Sequence, residues 1–220
     1  MSLEMDKNGN QYNIGILTKM LDPVINECNE NGNHTEVKNL FLDLIKYAEC
    51  VPEFWEYLDE NGFFTDPASA RHHAPWPGGL MCHSIRVLWH GLKLIPVMLD
   101  ISTLDIKDFV KACLFHDLVK MGSYKPEKKN VRDPITGKWT TEDKYTYVGR
   151  AAVQHGAESY RRMSKFFILS TPWDMAVIWH SGAYACLKED HNLLLRTIKE
   201  YPEVLLLHTA DMIAGIVEGI

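Results

Sequence analysis

Disulfide chemistry is missing from this sequence. Its five cysteines (Cys28, Cys50, Cys82, Cys113 and Cys186) are odd in number and widely spaced, with no C-x-x-C pair. That excludes a disulfide framework and fits a reducing compartment, so a cytoplasmic location is expected. The N-terminus, MSLEMDKNGNQY, has no basic start followed by an apolar stretch, so no secretory leader is expected. Long apolar runs are lacking too. The nearest approach to the roughly 18 apolar residues a bilayer span needs is VLLLHTADMIAGIVEGI, which His208 and Asp211 interrupt. Positive charge is not in excess: the net charge is −6, which argues against broad binding of nucleic acid or an anionic membrane. A small anionic substrate stays open, because a metal ion reverses the local field. Internal repeats and low-complexity tracts are absent.

What is there is an ordinary globular composition of 220 residues, 46% hydrophobic and 24% charged, long enough to bury a core unaided. Apolar residues recur mostly at helical spacing, which predicts an all-α fold with helices over about 12–28, 36–49, 52–61, 79–98, 106–120, 151–168, 173–186, 191–200 and 202–218. Pro52, Pro172 and Pro202 stand near the starts of three of these, where a missing N–H is harmless, and Gly122 stands just past the end of another. One segment departs from the pattern. YKPEKKNVRDPITGKWTTEDKYTY, from Tyr124 to Tyr147, has a DPITGK turn between polar stretches containing β-branched and aromatic residues, and reads as a β-hairpin or long ordered loop. An insertion of that length is usually functional or mobile, although its lysines and Arg132 also suit a plain solvated surface. Residues 1–70 are expected to form a helical segment packing on a larger unit over 71–220, the two making one compact body.

The chemistry lies in histidines and aspartates set among apolar helical residues. His116 and Asp117 fall in KDFVKACLFHDLVKMG, where Phe109, Cys113, His116 and Lys120 share one helical face. Burying an ionised Asp there costs several kcal/mol unless something compensates. A His–Asp hydrogen bond is a common structural device, so this pair alone decides nothing. His83 in PGGLMCHSIRVL, His155 in VQHGAES, His180 after AVIW and Asp211 in EVLLLHTADM change the balance. Imidazoles and carboxylates from separate helices that converge in a core form a metal site.

The ordered set H…HD…H…H…D resembles the HD superfamily of metal-dependent phosphohydrolases over about residues 72–216. RHHAPWPGGLMCHSIRVL is similar to the entry of the HD domain in YhaM-type exoribonucleases, ACLFHDLVK to the superfamily's central segment, and HGAES, WHSG and LHTADM to the later ligand segments. With its lysine-rich hairpin, the whole looks like a group of small bacterial and phage HD hydrolases. The resemblance implies an HD-domain helical bundle with a β-hairpin insertion. It implies His83, His116, Asp117 and Asp211 as ligands of one metal, with His155 and His180 on a second that Asp117 bridges. Lys120 matches the lysine that contacts a substrate phosphate, so Asp117 and Lys120 are the expected catalytic pair. No OB-type domain is present, and WHSG stands where the exoribonucleases have two adjacent histidines, which argues against RNA as substrate.

Mixed imidazole and carboxylate ligands suit one or two divalent ions of Mn, Fe, Co, Ni or Zn better than Mg. The expected activity is hydrolysis of a phosphate ester, such as a nucleotide. HD-fold di-iron oxygenases use the same ligand order, and a nucleotide-sensing module is a further alternative. Around the centre, His208 is expected to orient Asp211 and Glu158 to orient His155. His72, His73, Arg86 and Arg150 are candidates to meet a phosphate at the pocket mouth. For each of these, an ordinary surface or capping role fits the sequence equally well. His34, His90 and His191 are expected to be structural.

Overall fold

The computed structural model describes residues 9–149, 151 and 153–218. The first helix, α1 (Asn10–Leu21), stops short of the expected 28. Asp22 keeps helical backbone, but Pro23 brings no N–H to continue the ladder, and the chain passes into a short 3-10 turn, Ile25–Glu27. In α2 (His34–Tyr47) the Asn33 side chain accepts from the Glu36 amide, and Val37, Leu40, Phe41, Leu44 and Ile45 form its buried face. Pro52 opens α3 (Pro52–Glu60). These N-terminal helices join the rest through an aromatic cluster. Phe54 meets Phe115 edge-on at 4.7 Å, and Phe41 lies 5.1 Å from Phe63. One apolar core runs unbroken from Leu17 to Ala214, so segment 9–70 has no separate core.

The central element is α4 (Gly79–Met98), whose first two and a half turns are wholly buried. It packs against α5 (Ile106–Phe115) and α9 (Glu203–Met212), and α9 packs on α7 (Thr171–Trp179). The Asp105 carboxylate caps α5 by accepting from the amides of Lys107 and Asp108 at 3.1 and 3.0 Å. The expected helix over 106–120 is cut at Phe115. His116 is its last helical position, Asp117 leaves the helix (φ −107°, ψ 23°), and Leu118–Lys120 form a 3-10 turn that ends at Gly122 with φ 68°. Two later expectations also shorten. Of the described residues in 151–168, only His155–Met163 are helical (α6), and α7 ends at Trp179 ahead of Gly182, whose φ is 56°. The remaining helices are α8 (His191–Glu200) and α9, which runs on into a π turn over Ile213–Val217.

The Tyr124–Tyr147 segment is an antiparallel hairpin of β1 (Tyr124–Arg132) and β2 (Trp139–Tyr147), paired without a bulge from Tyr124↔Tyr147 to Arg132↔Trp139. Its tip is tied by the Asp133 carboxylate, which accepts from the amides of Ile135 and Thr136. The molecule is thus mostly helical with one small hairpin, and no described helix is long and apolar enough to cross a membrane.

Candidate metal centre

α4 delivers His83, the end of α5 delivers His116 and Asp117, the start of α6 delivers His155, the end of α7 delivers His180, and α9 delivers Asp211. All six residues meet. They fall into two groups, His83 with His116, Asp117 and Asp211, and Asp117 with His155 and His180. Within each group, one potential ligand atom per residue lies within 4.8 Å of every other.

Asp117 belongs to both groups, and its two oxygens are divided between them. Oδ2 lies 3.3 Å from His116 Nε2, 3.6 Å from His83 Nε2 and 2.6 Å from the Lys120 ammonium. Oδ1 lies 2.6 Å from His155 Nε2 and 3.5 Å from His180 Nε2. The break after Phe115 makes this possible. On a continued helix Asp117 would project about 100° round from His116. Leaving the helix brings its carboxylate in among the imidazoles, so tertiary electrostatics overrides local propensity.

Backbone carbonyls fix two of the imidazoles. His116 Nδ1 donates to the Cys113 carbonyl at 2.9 Å and His180 Nδ1 to the Val177 carbonyl at 2.7 Å. Each therefore turns Nε2 toward the carboxylates, with a lone pair on the neutral His180 ring and, on His116, a proton that a bound cation would displace. His116 Nε2 is buried without a hydrogen-bond partner, as are both ring nitrogens of His83. His83 Nε2 comes within 3.0 Å of Asp211 Oδ1, but without the alignment of a hydrogen bond.

The titration of the groups tells the same story. Burial holds His83 and His180 below the ordinary histidine value. Burial also opposes protonation of His116, yet the charges of Asp117 and Asp211 win and raise it to about 10. Burial pushes both carboxyls up, but Lys120 and His116 hold Asp117 well below the usual range, and His116 and His83 do the same for Asp211. The buried Asp117 and half-buried Asp211 carboxylates thus draw positive charge, while imidazole nitrogens without hydrogen-bond partners point at them. A divalent cation answers both requirements at once, and these residues fit one.

Lys120 is half-buried, and its ammonium also donates to His73 Nε2 at 3.3 Å. Burial, followed by the neighbouring His83 and Lys120, lowers His73 to about 3, so the ring is a neutral acceptor at neutral pH. The sequence placed His73 on a substrate phosphate; the structure places it beside Lys120, with its ring centroid 4.9 Å from that of His83.

Three expectations about the surroundings need correction. Arg86 does not face the pocket. Its guanidinium donates to the carbonyls of Cys28 and Ile25 and to Glu218; the Ile25 carbonyl also accepts from the Cys28 amide, whereas Arg86 is the donor to the Cys28 carbonyl at the turn before α2. Glu158 does not orient His155. It clamps Arg161 with two hydrogen bonds of 2.7 Å and accepts from Arg162. His208 does not hold Asp211; its Nδ1 donates to the His180 carbonyl at 2.6 Å, where the chain leaves α7. Arg150 lies outside the described residues. His34 bonds the Asn29 carbonyl and His90 faces Glu218, both as structural groups.

Several residues that position the centre were not anticipated. Arg162 Nη1 donates to the carbonyls of Leu118 and Met121, and Ser159 Oγ accepts from the Val119 amide, so α6 is fastened to the turn that follows Asp117. Ser181 Oγ lies 3.2 Å from His180 Nε2. Ser181 had a signal in its place beside His180 in WHSG; Ser159 and Arg162 had none, since their partners are backbone atoms about 40 residues away.

Comparison with known proteins gives no match: no family model, no curated protein and no solved structure is similar to this chain.

Proposed function

We propose that the protein is a metal-dependent phosphohydrolase of the HD type that cleaves a phosphate ester, such as a nucleotide, with an activated water. The observation that carries this reading is the division of Asp117, one oxygen facing His83, His116 and Lys120 and the other facing His155 and His180. A carboxylate so placed is suited to bridge two cations. Divalent ions held by the two groups would supply Lewis-acid charge and generate a nucleophilic water at neutral pH.

The chain's own residues do the rest. His116 and His180 are held with Nδ1 on a backbone carbonyl, so that Nε2 is the ring atom turned toward the centre. Lys120 keeps a fixed positive charge at the edge of the centre, raised above its ordinary pKa by Asp117 and Asp211 despite burial. Aimed by His73 and Asp117, that ammonium can meet a phosphoryl oxygen and stabilise charge developing on it. A buried cation beside the ligand groups favours an anionic substrate, which supports hydrolysis of a phosphate ester over oxygen chemistry.

The test is to strip the protein with chelator, restore Mn, Co, Ni or Fe separately, and assay a panel of nucleotides and phosphodiesters. Phosphate-ester cleavage that depends on added metal is expected. Lack of hydrolysis with every metal, together with oxygen consumption by the iron-loaded form, would replace this reading with a di-iron oxygenase.

A further inference from the structure

The segment that leads into α4 carries an imidazole to the edge of the metal centre on a backbone both tied and strained. The Ser69 hydroxyl accepts from the amides of His72 and His73 at 2.8 and 2.9 Å and donates to the His73 carbonyl at 2.8 Å. The next residue, Ala74, is fully buried with φ 42°, a left-handed conformation that a non-glycine residue keeps only where its surroundings impose it. Here they do. The Ala74 carbonyl accepts from the Ala68 amide at 3.0 Å and presses on the start of α4, where a Cβ at Gly79 would lie 2.1 Å from it. The His73 ring is thereby set between His83, at 4.9 Å between centroids, and Gly215 of the π turn that continues α9, where a Cβ would lie 3.6 Å from the ring.

Strain beside a side chain so placed points to a task for that side chain. His73 Nε2 lies 3.3 Å from the Lys120 ammonium, which also lies 2.6 Å from Asp117 Oδ2. An ammonium only donates, so Nε2 is the acceptor and the ring proton sits on Nδ1. Asp117 Oδ2 is also the oxygen that faces His83 and His116. A divalent cation held by that group claims the same oxygen and repels the ammonium.

We infer that His73 is a positioning residue, the neutral acceptor that takes Lys120 over from Asp117 when a cation binds and keeps the ammonium turned to a substrate phosphate. The chemistry of the acceptor matters. A carboxylate in this place would cancel the positive charge that a phosphoryl oxygen needs, whereas an uncharged imidazole holds the ammonium and leaves its charge available. The inference deepens the hydrolase reading and rests on it for the phosphate. The competition between Lys120 and a cation for Asp117 needs only the ligand groups.

The test is calorimetric titration of the full chain with Mn, and of the Mn-loaded chain with inorganic phosphate. It is applied to His73→Ala and His73→Gln, each in the parent and in the Lys120→Ala background. In the parent background His73→Ala is expected to weaken Mn and phosphate by about tenfold each, the lower end of what losing a group behind a metal ligand costs. His73→Gln, uncharged and with an acceptor oxygen, should recover most of that loss. With Lys120 gone, His73→Ala should change neither affinity, because an effect passed through the lysine disappears with it. Mn and phosphate affinities that His73→Ala leaves unchanged in the parent background overturn the inference. So does an equal loss in the Lys120→Ala background, which would make His73 a packing support of His83 alone. Neither titration requires turnover. Binding of Mn and phosphate that depends on His73, with no ester cleaved, would therefore strike the hydrolase reading and leave His73 in its role.

Discussion

Asp117 and Lys120 touch each other at 2.6 Å yet have separable tasks. Asp117→Asn keeps the shape but removes the charge that faces both ligand groups, so metal content and turnover should fall together. An ammonium has no lone pair to donate to a metal, so Lys120→Ala should retain its metals and lose kcat/KM by about 10²–10³-fold, as for a typical electrostatic donor. Metal analysis and hydrolysis measured on both variants in parallel check the pair, and full activity in Lys120→Ala would remove that residue from the reaction. Arg86 gives the contrasting case. Arg86→Ala leaves the Cys28 carbonyl without a donor and removes one of two partners from the Ile25 carbonyl, which keeps the Cys28 amide, and from Glu218, which keeps His90, at a cost of about 1–3 kcal/mol. Denaturant unfolding should report that loss, while activity per folded molecule stays unchanged. A fall in kcat/KM for folded Arg86→Ala would restore the substrate role that the structure denies it.

At the scale of elements, α6 decides whether the second ligand group exists. A Cβ at Gly156 would lie 2.3 Å from the Ile178 carbonyl oxygen and 2.4 Å from that of Val177. These are backbone atoms that cannot swing away, so Gly156→Ala must push α6 off α7 by about 1 Å to restore ordinary contact. The expected cost is about 1–3 kcal/mol. His155 moves with α6 while His83, His116 and Asp211 do not, so metal content should drop from two ions toward one, as measured by elemental analysis.

The same helix holds a pH-dependent clamp. Hydrogen bonds from Arg161 overcome the opposing effect of burial and, aided by Arg162, lower Glu158 from 4.5 to about 2. A carboxylate depressed in the folded state stabilises above its unfolded pKa, and that contribution is lost as pH falls through the folded value. Glu158→Gln should therefore be less stable than the parent chain by about 1–2 kcal/mol at pH 7, as for a charged hydrogen bond. The deficit should shrink as pH falls from 4.5 toward 2, and urea midpoints across that range check it. Because Arg162 bridges Glu158 to the carbonyls of Leu118 and Met121, the clamp also steadies the turn after Asp117.

For the whole molecule, the centre is drawn from five helices or their ends, so metal binding should couple to global stability. A ligand at 100 times its Kd adds about 2.7 kcal/mol per site to the folded state. Chelator-treated protein should melt lower and recover on titration with Mn or Zn, with a rise in Tm that follows metal concentration. A Tm indifferent to every divalent ion would mean that the groups bind none.

The sequence by itself determined the helical class, the hairpin and the residues that converge. Helical spacing of apolar side chains reports burial directly. A turn such as DPITGK between β-branched and aromatic stretches has few other uses, and β1 and β2 begin and end at Tyr124 and Tyr147 as the sequence predicts. His and Asp within apolar helices could be picked out because isolated buried charge is too costly to be casual. Only the tertiary structure decided where helices break and which partner each polar group takes. Asp117 leaves the helix, and its second oxygen meets His155 and His180, 38 and 63 residues away in sequence. Arg86 turns inward to the distant carbonyls of Cys28 and Ile25, and Ser159, Arg162 and His208 became supports of the centre through backbone atoms that carry no residue identity. Local sequence states which groups must be satisfied; three-dimensional proximity alone states by whom.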